Sequence, residues 1–507
     1  MSESEKSPRP RRRSSQRRRP KRRGGSSGKK GNPLKWVLIV GASLLLMLFI
    51  GLIIARTSLN SWLKGDGFRN WAKKTSATVL KSEVDFASLE WKNSEVYVDG
   101  FEARGYEDAG FAKLEIDGLR ARFDGVANEA WQIPDTTANR MNLEFSGDRE
   151  KGDFGRFGSA NIADDGKLST PSWLRKLLPE KVDLGEIQID AGNVTIKNST
   201  GQETVALRSV RAQIDPDLDS AMWEIGGRSG KLFVAGTPDF NIQQFQLRWQ
   251  RENLFITDLA LNFYNGAHLS GTGDVIFAQP TRLNLELQLE NLDIHELLTD
   301  EEAKEKFSGF LEGDINIQGV PGSPEGLVQS GTVRIRDGVV TAIPILDTIS
   351  KYTKKVEFKR LGLNQAKADF IRKGGRIHLT NIEIQSDGLT RIEGEMLIEG
   401  ERLAGIFQLG VTPGTLRWIP GADRKVFVES RDGFLWTPLK IAGTFDEVDE
   451  DLTARLIAAA GEALIEDLPE NVIKKAQETV NDPIGTPSNL IDEGRGLLES
   501  LIPLIGN

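Results

Sequence analysis

Residues 36–55 read WVLIVGASLLLMLFIGLIIA, a run of twenty residues without a charge. At about 1.5 Å per residue, a helix of this length spans roughly 30 Å, which matches the hydrocarbon core of a bilayer. A buried helix of a globular protein is the alternative, but so long an apolar run is typical of a membrane span. Because no A-x-A-like cleavage site follows it, the sequence predicts an uncleaved transmembrane signal-anchor helix.

The charges on the two sides of this segment predict its orientation. Residues 1–35 carry fourteen Lys or Arg and two Glu, whereas the whole chain has a net charge of −8. Positive charge beside a first span stays in the cytoplasm, so we expect a disordered basic cytoplasmic tail and an exported acidic remainder. Anionic headgroups are a candidate partner of the tail. The tail has no aromatic residue on which bases could stack, so we expect no nucleic-acid partner.

Residues 56–82 keep helical spacing and predict a juxtamembrane helix. Trp62 and Trp71 lie near one face of it, where they fit the membrane interface. A helix packed on the first strands is equally compatible with the pattern.

From about residue 84 the apolar pattern changes to period 2, which predicts β-strands. The clearest example is LNLELQL at 283–289, with four Leu on one face. Short helices are expected at 294–307, 345–352, 452–465 and 489–502. Hairpin turns are predicted at six dipeptides, namely Asp99-Gly100, Asp117-Gly118, Asp124-Gly125, Asn265-Gly266, Asp337-Gly338 and Asp387-Gly388.

The strands follow a loose pattern in which Gly precedes and follows a short alternating run, as in 271–277, 311–319 and 392–400. Each apolar face needs a cover. A second sheet would give a sandwich, and a single sheet could curl into a closed core or into an open trough filled by a ligand. The pattern alone favours the closed core over the open trough.

Several segments carry a resemblance to a known family. They are 331–340 (GTVRIRDGVV), 343–346 (IPIL), 368–370 (ADF), 374–379 (GGRIHL), 385–389 (QSDGL) and 392–394 (IEG). In this order they resemble the C-terminal module of the AsmA-like family of bacterial envelope proteins. The likeness covers about residues 265–450, and over 84–264 it is one of architecture only.

The resemblance implies a mainly β fold, in which one N-terminal transmembrane helix precedes an elongated, curled antiparallel repeating β-groove with a taco-like cross-section. The groove would comprise residues 83–264 and the AsmA-like module 265–448, followed by a helical tail at 449–507. Some 20–25 strands at about 4.8 Å would make it roughly 100–120 Å long. The expected lining residues are Leu283, Leu285, Leu287, Leu289, Ile315, Ile317, Val333, Ile335, Ile377, Leu379, Ile382, Ile384, Phe407 and Leu409.

The implied function is phospholipid movement from the bacterial inner membrane through the periplasm towards the outer envelope. The absence of Cys fits this compartment. An envelope scaffold that assists outer-membrane protein assembly is the alternative, and the tail helices could cap the groove or dock another envelope protein. No catalytic motif occurs, and the three His lack metal-ligand spacing, so we expect no enzyme activity, no cofactor and no metal.

Overall fold

The computed structural model describes residues 73–460, apart from 147–180, 342–359 and short gaps of one to four residues. The predicted span 36–55 and the residues Trp62 and Trp71 lie outside the described residues, as do the predicted helices at 345–352 and 489–502. No helix within the described part is long and apolar enough to cross a membrane.

The described chain is mainly β, as the period-2 pattern predicted, and its 24 strands belong to one sheet. Strands that follow one another in the chain are usually neighbours in the sheet. The N-terminal strands are β1 (Ser82–Phe86), β2 (Glu90–Lys92), β3 (Glu95–Gly105), β4 (Lys113–Arg122), β5 (Gly125–Ala127), β6 (Ala130–Ser146), β7 (Lys181–Lys197) and β8 (Glu203–Asp217).

The middle of the sheet consists of eight consecutive strands, most of them ten residues or longer. They are β9 (Met222–Arg228), β10 (Lys231–Val234), β11 (Phe240–Gln250), β12 (Asn253–Phe263), β13 (Ala267–Ile276), β14 (Arg282–Asp293), β15 (Phe307–Gly319) and β16 (Leu327–Thr341). A 3₁₀ turn (Ile294–Glu296) and helix α1 (Glu301–Lys306) connect β14 to β15.

The C-terminal part adds eight strands and three short helices. The strands are β17 (Arg360–Leu363), β18 (Gln365–Lys373), β19 (Arg376–Ser386), β20 (Thr390–Glu399), β21 (Arg402–Val411), β22 (Glu429–Arg431), β23 (Phe434–Thr444) and β24 (Val448–Glu450). The helices are α2 (Pro413–Leu416), α3 (Ala422–Lys425) and α4 (Leu452–Ala460).

The sheet is shorter than the strand count implies because some short strands lie end to end against one longer neighbour. β1 and β2 share β3, and β17 and β18 share β16, for example. About 19 strand positions remain, which at about 4.8 Å give a sheet roughly 90 Å across. No pairing joins the first and last described strands, and the described part contains no second sheet.

The antiparallel order fails at one place, because β6 and β7 pair in parallel along their whole length. Three predicted hairpin signals are also wrong. Asp99-Gly100, Asp117-Gly118 and Asp337-Gly338 lie inside β3, β4 and β16. The backbone φ is +63° at Gly118 and +52° at Asp337, because a bulge in a continuing strand needs the same left-handed conformation as a tight turn. Asn265-Gly266 does form a turn, between β12 and β13.

The helix boundaries also need correction. The helix predicted at 294–307 is divided into a 3₁₀ turn and α1. Asp300 is the N-cap of α1, because its side chain accepts hydrogen bonds from the backbone N–H groups of Glu302 and Ala303. The predicted juxtamembrane helix ends before Ser82, which begins β1. The tail predicted to be helical from 449 begins with the end of β24, and α4 starts at Leu452.

Candidate binding face

One face of the sheet carries a continuous line of apolar positions, which the strand register shows directly. Residues opposite each other on paired strands point to the same face. A single line of such partners crosses the sheet from β3 to β23, and every member is apolar or Gly. The line is Val98, Leu119, Ala138, Ile189, Ala212, Gly227, Phe245, Leu259, Gly271, Leu287, Ile315, Gly331, Phe370, Leu379, Met396, Gly405 and Ile441.

The degree of burial changes along this line. Val98, Leu119 and Ile189, near the N-terminal edge, are at most 4% exposed. From Leu259 to Met396 every member is only half-buried. The sheet therefore presents an apolar face that is covered towards its N-terminal edge and partly open across its middle.

All fourteen residues predicted to line a groove lie on this apolar face. Four of them, Leu289, Ile382, Phe407 and Leu409, are buried. The other ten, which include Leu283, Leu285 and Leu287 of the clearest predicted strand, are half-buried. Their role as a lining stays a prediction, but they form one surface.

Glycines on the apolar face let neighbouring strands approach closely. A Cβ added to Gly273 of β13 would come within 2.6 Å of Leu285 Cδ2, and it would collide with the Asn284 carbonyl oxygen. A Cβ on Gly394 of β20 would come within 2.6 Å of the Phe407 ring. The recurring Gly of the sequence thus occupies positions where a large side chain of the next strand folds over the backbone.

Both ends of the apolar face are covered by packed side chains. At the N-terminal end Leu80, just before β1, packs in a buried cluster that extends from β1 to Trp249 of β11. At the C-terminal end one buried cluster contains Leu409 of β21, Leu416 of α2 and Leu452 of α4. Phe427, which follows α3, belongs to the same cluster.

Between these two clusters a third buried cluster includes Phe245, Leu261 and Leu289, and Leu259 and Ile315 of the line pack against it. The middle of the face is therefore open only in part.

Helix α4 is fixed at its start by side chains of the sheet. Glu450 accepts from the backbone N–H groups of Leu452 (2.6 Å) and Thr453 (3.0 Å), which caps the helix. Arg455 donates to Thr437 Oγ1 (2.8 Å) of β23. These contacts hold the helix over the last strands.

The opposite face of the sheet is polar and rich in ion pairs. Examples are Arg336 Nε to Glu312 Oε1 (2.8 Å) and Lys367 Nζ to Glu383 Oε2 (3.3 Å), both between neighbouring strands. These side chains are roughly one third to one half exposed, so each pair contributes at most about 1 kcal/mol. The polar face is therefore distinguished by its contact with water, and its ion pairs contribute little to stability.

The sequence prediction missed two polar side chains on the apolar face, Gln329 and Arg372. Gln329 of β16 lies opposite Arg372 of β18, and Arg372 lies opposite Ile377 of β19. Arg372 is the single charged residue at an apolar-face position of the described strands β1 to β23. The alternation along β18 could have shown this, because Arg372 follows Ala368 and Phe370 at the same two-residue spacing and so lies on their face.

The three His of the sequence are dispersed. His268 Nδ1 lies 2.9 Å from Asn262 Oδ1, and His295 Nε2 lies 2.9 Å from the Phe307 carbonyl oxygen. His378 is buried on the polar face, with Nε2 3.5 Å from Glu395 Oε2. Within the described ranges, no group of three or more His, Cys, Asp or Glu could hold a metal ion.

Comparison with known proteins adds no family assignment. No protein-family model matches the sequence, and no curated protein is significantly similar to it. The resemblance to the AsmA-like family therefore stays a prediction from the sequence.

Proposed function

We propose that this protein binds phospholipid on its apolar face and moves it between the two bacterial membranes, as the resemblance to the AsmA-like family implies. In this proposal the sheet curls into an open groove and the segment 36–55 anchors it in the inner membrane. The observation that carries the proposal is the unbroken apolar line, which is only half-buried from Leu259 to Met396.

The half-buried middle of the face is a long and continuous apolar surface. Apolar patches on soluble monomers are usually limited to a few hundred Å², and larger ones mark binding sites. Here the half-buried stretch crosses eight strand positions, from β12 to β20, which at about 4.8 Å each is roughly 40 Å. Acyl chains are the ligand chemistry that such a surface favours, because each buried CH₂ contributes about 0.8 kcal/mol.

The continuity of the line supports movement as well as binding. A lipid that slides from Leu287 to Ile315 and on to Phe370 meets only aliphatic, aromatic or Gly positions. It therefore has no polar barrier to cross and no need to re-enter water. The sheet, at roughly 90 Å, is several times longer than the acyl chains of one leaflet, about 15 Å, so it has room for more than one lipid.

The test is lipid content and lipid transfer by the full-length chain, purified in mild detergent. We expect phospholipid in mass spectra of the purified protein, and transfer between two liposome populations when the protein is anchored in one of them. Ile315→Asp puts a charge in the line between Leu287 and Gly331 and should slow transfer at least tenfold. The control is Gln318→Asp, on the polar face of the same strand opposite Asn284 and Val328, which should transfer normally.

A scaffold that assists outer-membrane protein assembly is the second candidate. The covered C-terminal end, where α4 packs over the last strands, favours it because this end presents folded structure to a partner. A scaffold needs no ligand on the apolar face. Protein free of phospholipid, together with no lipid transfer by the unchanged chain, would favour the scaffold over the lipid conduit.

A further inference from the structure

Arg372 and Gln329 form a polar pair at one margin of the apolar face. Gln329 is the third residue of β16, and Arg372 is the last but one of β18, so both lie close to the same end of their strands. The line of partners that contains them runs from Ile317 through this pair to Ile377. The pair thus interrupts an otherwise aliphatic line, one residue from the hairpin that joins β18 to β19.

The Arg372 side chain is exposed, and no described residue forms an ion pair or hydrogen bond with it. This differs from the polar face, where Arg334 and Arg336 of the adjacent strand have carboxylate partners. A guanidinium beside aliphatic side chains, with no carboxylate partner among the described residues, offers its donors in a fixed planar fork. Phosphate and carboxylate oxygens are the acceptors that match this fork.

The two ends of these strands differ in charge. At the opposite end from Arg372, the connection between β14 and β15 has an excess of acidic residues. It carries Asp293, Glu296, Asp300 and Glu305, in addition to Glu301 and Glu302, which pair with Lys304 and Lys306. A phosphate would be repelled there and attracted at the Arg372 end. The position of Arg372 therefore gives an amphiphile on the apolar face a preferred orientation across the strands.

We propose that Arg372 and Gln329 bind the phosphate of a phospholipid headgroup whose acyl chains lie on the adjoining apolar positions. This inference rests on the proposed function and adds which headgroup chemistry the site selects and at which margin the headgroup lies. Arg372 takes two phosphate oxygens, and the Gln329 amide N–H donates to a third or to the ester oxygen. Phe370, two residues along β18 on the same face, begins the apolar surface for the acyl chains.

The experiment compares two fluorescent probes with identical acyl chains, phosphatidylglycerol and diacylglycerol, on the full-length protein in mild detergent. Arg372→Gln should weaken phosphatidylglycerol binding about tenfold, the effect expected for one charge-assisted hydrogen-bonding group, and should leave diacylglycerol binding unchanged. The matched control is Arg402→Gln. Arg402 is exposed at the same margin but on the polar face, opposite Glu399.

Each outcome decides between stated possibilities. If Arg372→Gln binds both probes as the unchanged protein does, the headgroup site is wrong and the lipid-binding function stands. If the unchanged protein binds neither probe, the proposed function fails and the headgroup site fails with it. Inorganic phosphate is the third probe: equal concentrations should not displace phosphatidylglycerol, and displacement would assign Arg372 to a soluble anion instead. Diacylglycerol binding by Arg372→Gln also reports that the variant is folded.

Discussion

Leu287 of β14 lies over Gly271 of β13, and a Cβ on Gly271 would come within 2.9 Å of Leu287 Cδ2. The same Cβ would collide with the carbonyl oxygen of Glu286. The two strands therefore approach more closely on the apolar face than two residues with side chains would allow. This approach places a Leu side chain, rather than a gap, at the centre of the open stretch.

Gly271→Val should destabilise the β13–β14 pair by about 2 kcal/mol, because overpacking forces a backbone shift. Hydrogen exchange of the amides of β13 and β14 would measure the loss locally. The control is Gly362→Val in β17, where an added Cβ meets nothing within 4 Å. Equal protection of the β13 and β14 amides in the two variants would show that the close approach at Gly271 does not affect stability.

The covered and open parts of the apolar face should respond differently to the same truncation. Leu114 of β4 is 0% exposed, whereas Leu287 is half-buried. Leu114→Ala should cost about 3–4 kcal/mol, since it leaves a cavity, and Leu287→Ala about 1 kcal/mol, since solvent already reaches the side chain. Local hydrogen exchange in lipid-free protein is again the measurement. A loss at Leu287 as large as at Leu114 would mean that the middle of the face is packed and dry.

Asp369 should make the β18–β19 pair sensitive to acid. Its carboxylate accepts from Thr332 Oγ1 (2.6 Å) and from Asn381 Nδ2 (2.8 Å), a residue at φ +48° in the bulge of β19. These two hydrogen bonds, the one from Asn381 first, hold the pKa of Asp369 below its ordinary value of 3.8.

Because folding lowers this pKa, ionised Asp369 stabilises the fold at every pH above the ordinary value, and the contribution is lost as pH falls through the lowered value. Asp369→Asn should therefore be less stable than the unchanged protein at pH 7 and equally stable at the acid end of a pH series of thermal unfolding. Asp314→Asn, an exposed carboxylate 3.6 Å from Arg334, is the control with little expected effect. A stability gap that persists unchanged in acid would contradict the assignment.

Local patterns were sufficient for the strands and insufficient for their connections. The alternation at 283–289 predicted β14 and its apolar face correctly, because side chains of any extended strand alternate. Asp337-Gly338 and Asn265-Gly266 look alike in sequence, yet the first is a bulge and the second a turn. The difference lies in the partner strand, since β15 and β17 continue past Asp337 whereas β12 ends before Asn265. The sequence patterns of β6 and β7 likewise do not indicate that the two strands pair in parallel.

The sequence by itself determined that this protein is mainly β and that one face of each strand is apolar, because both properties follow from the two-residue period of an extended chain. Only the tertiary structure decided how the faces combine. Register aligned them into one line from Val98 to Ile441, and packing buried the line fully near the N-terminal edge but only partly from Leu259 to Met396. It also placed Arg372 beside Gln329 on that face. Burial and cross-strand neighbours depend on residues distant in the chain, which a local pattern does not contain.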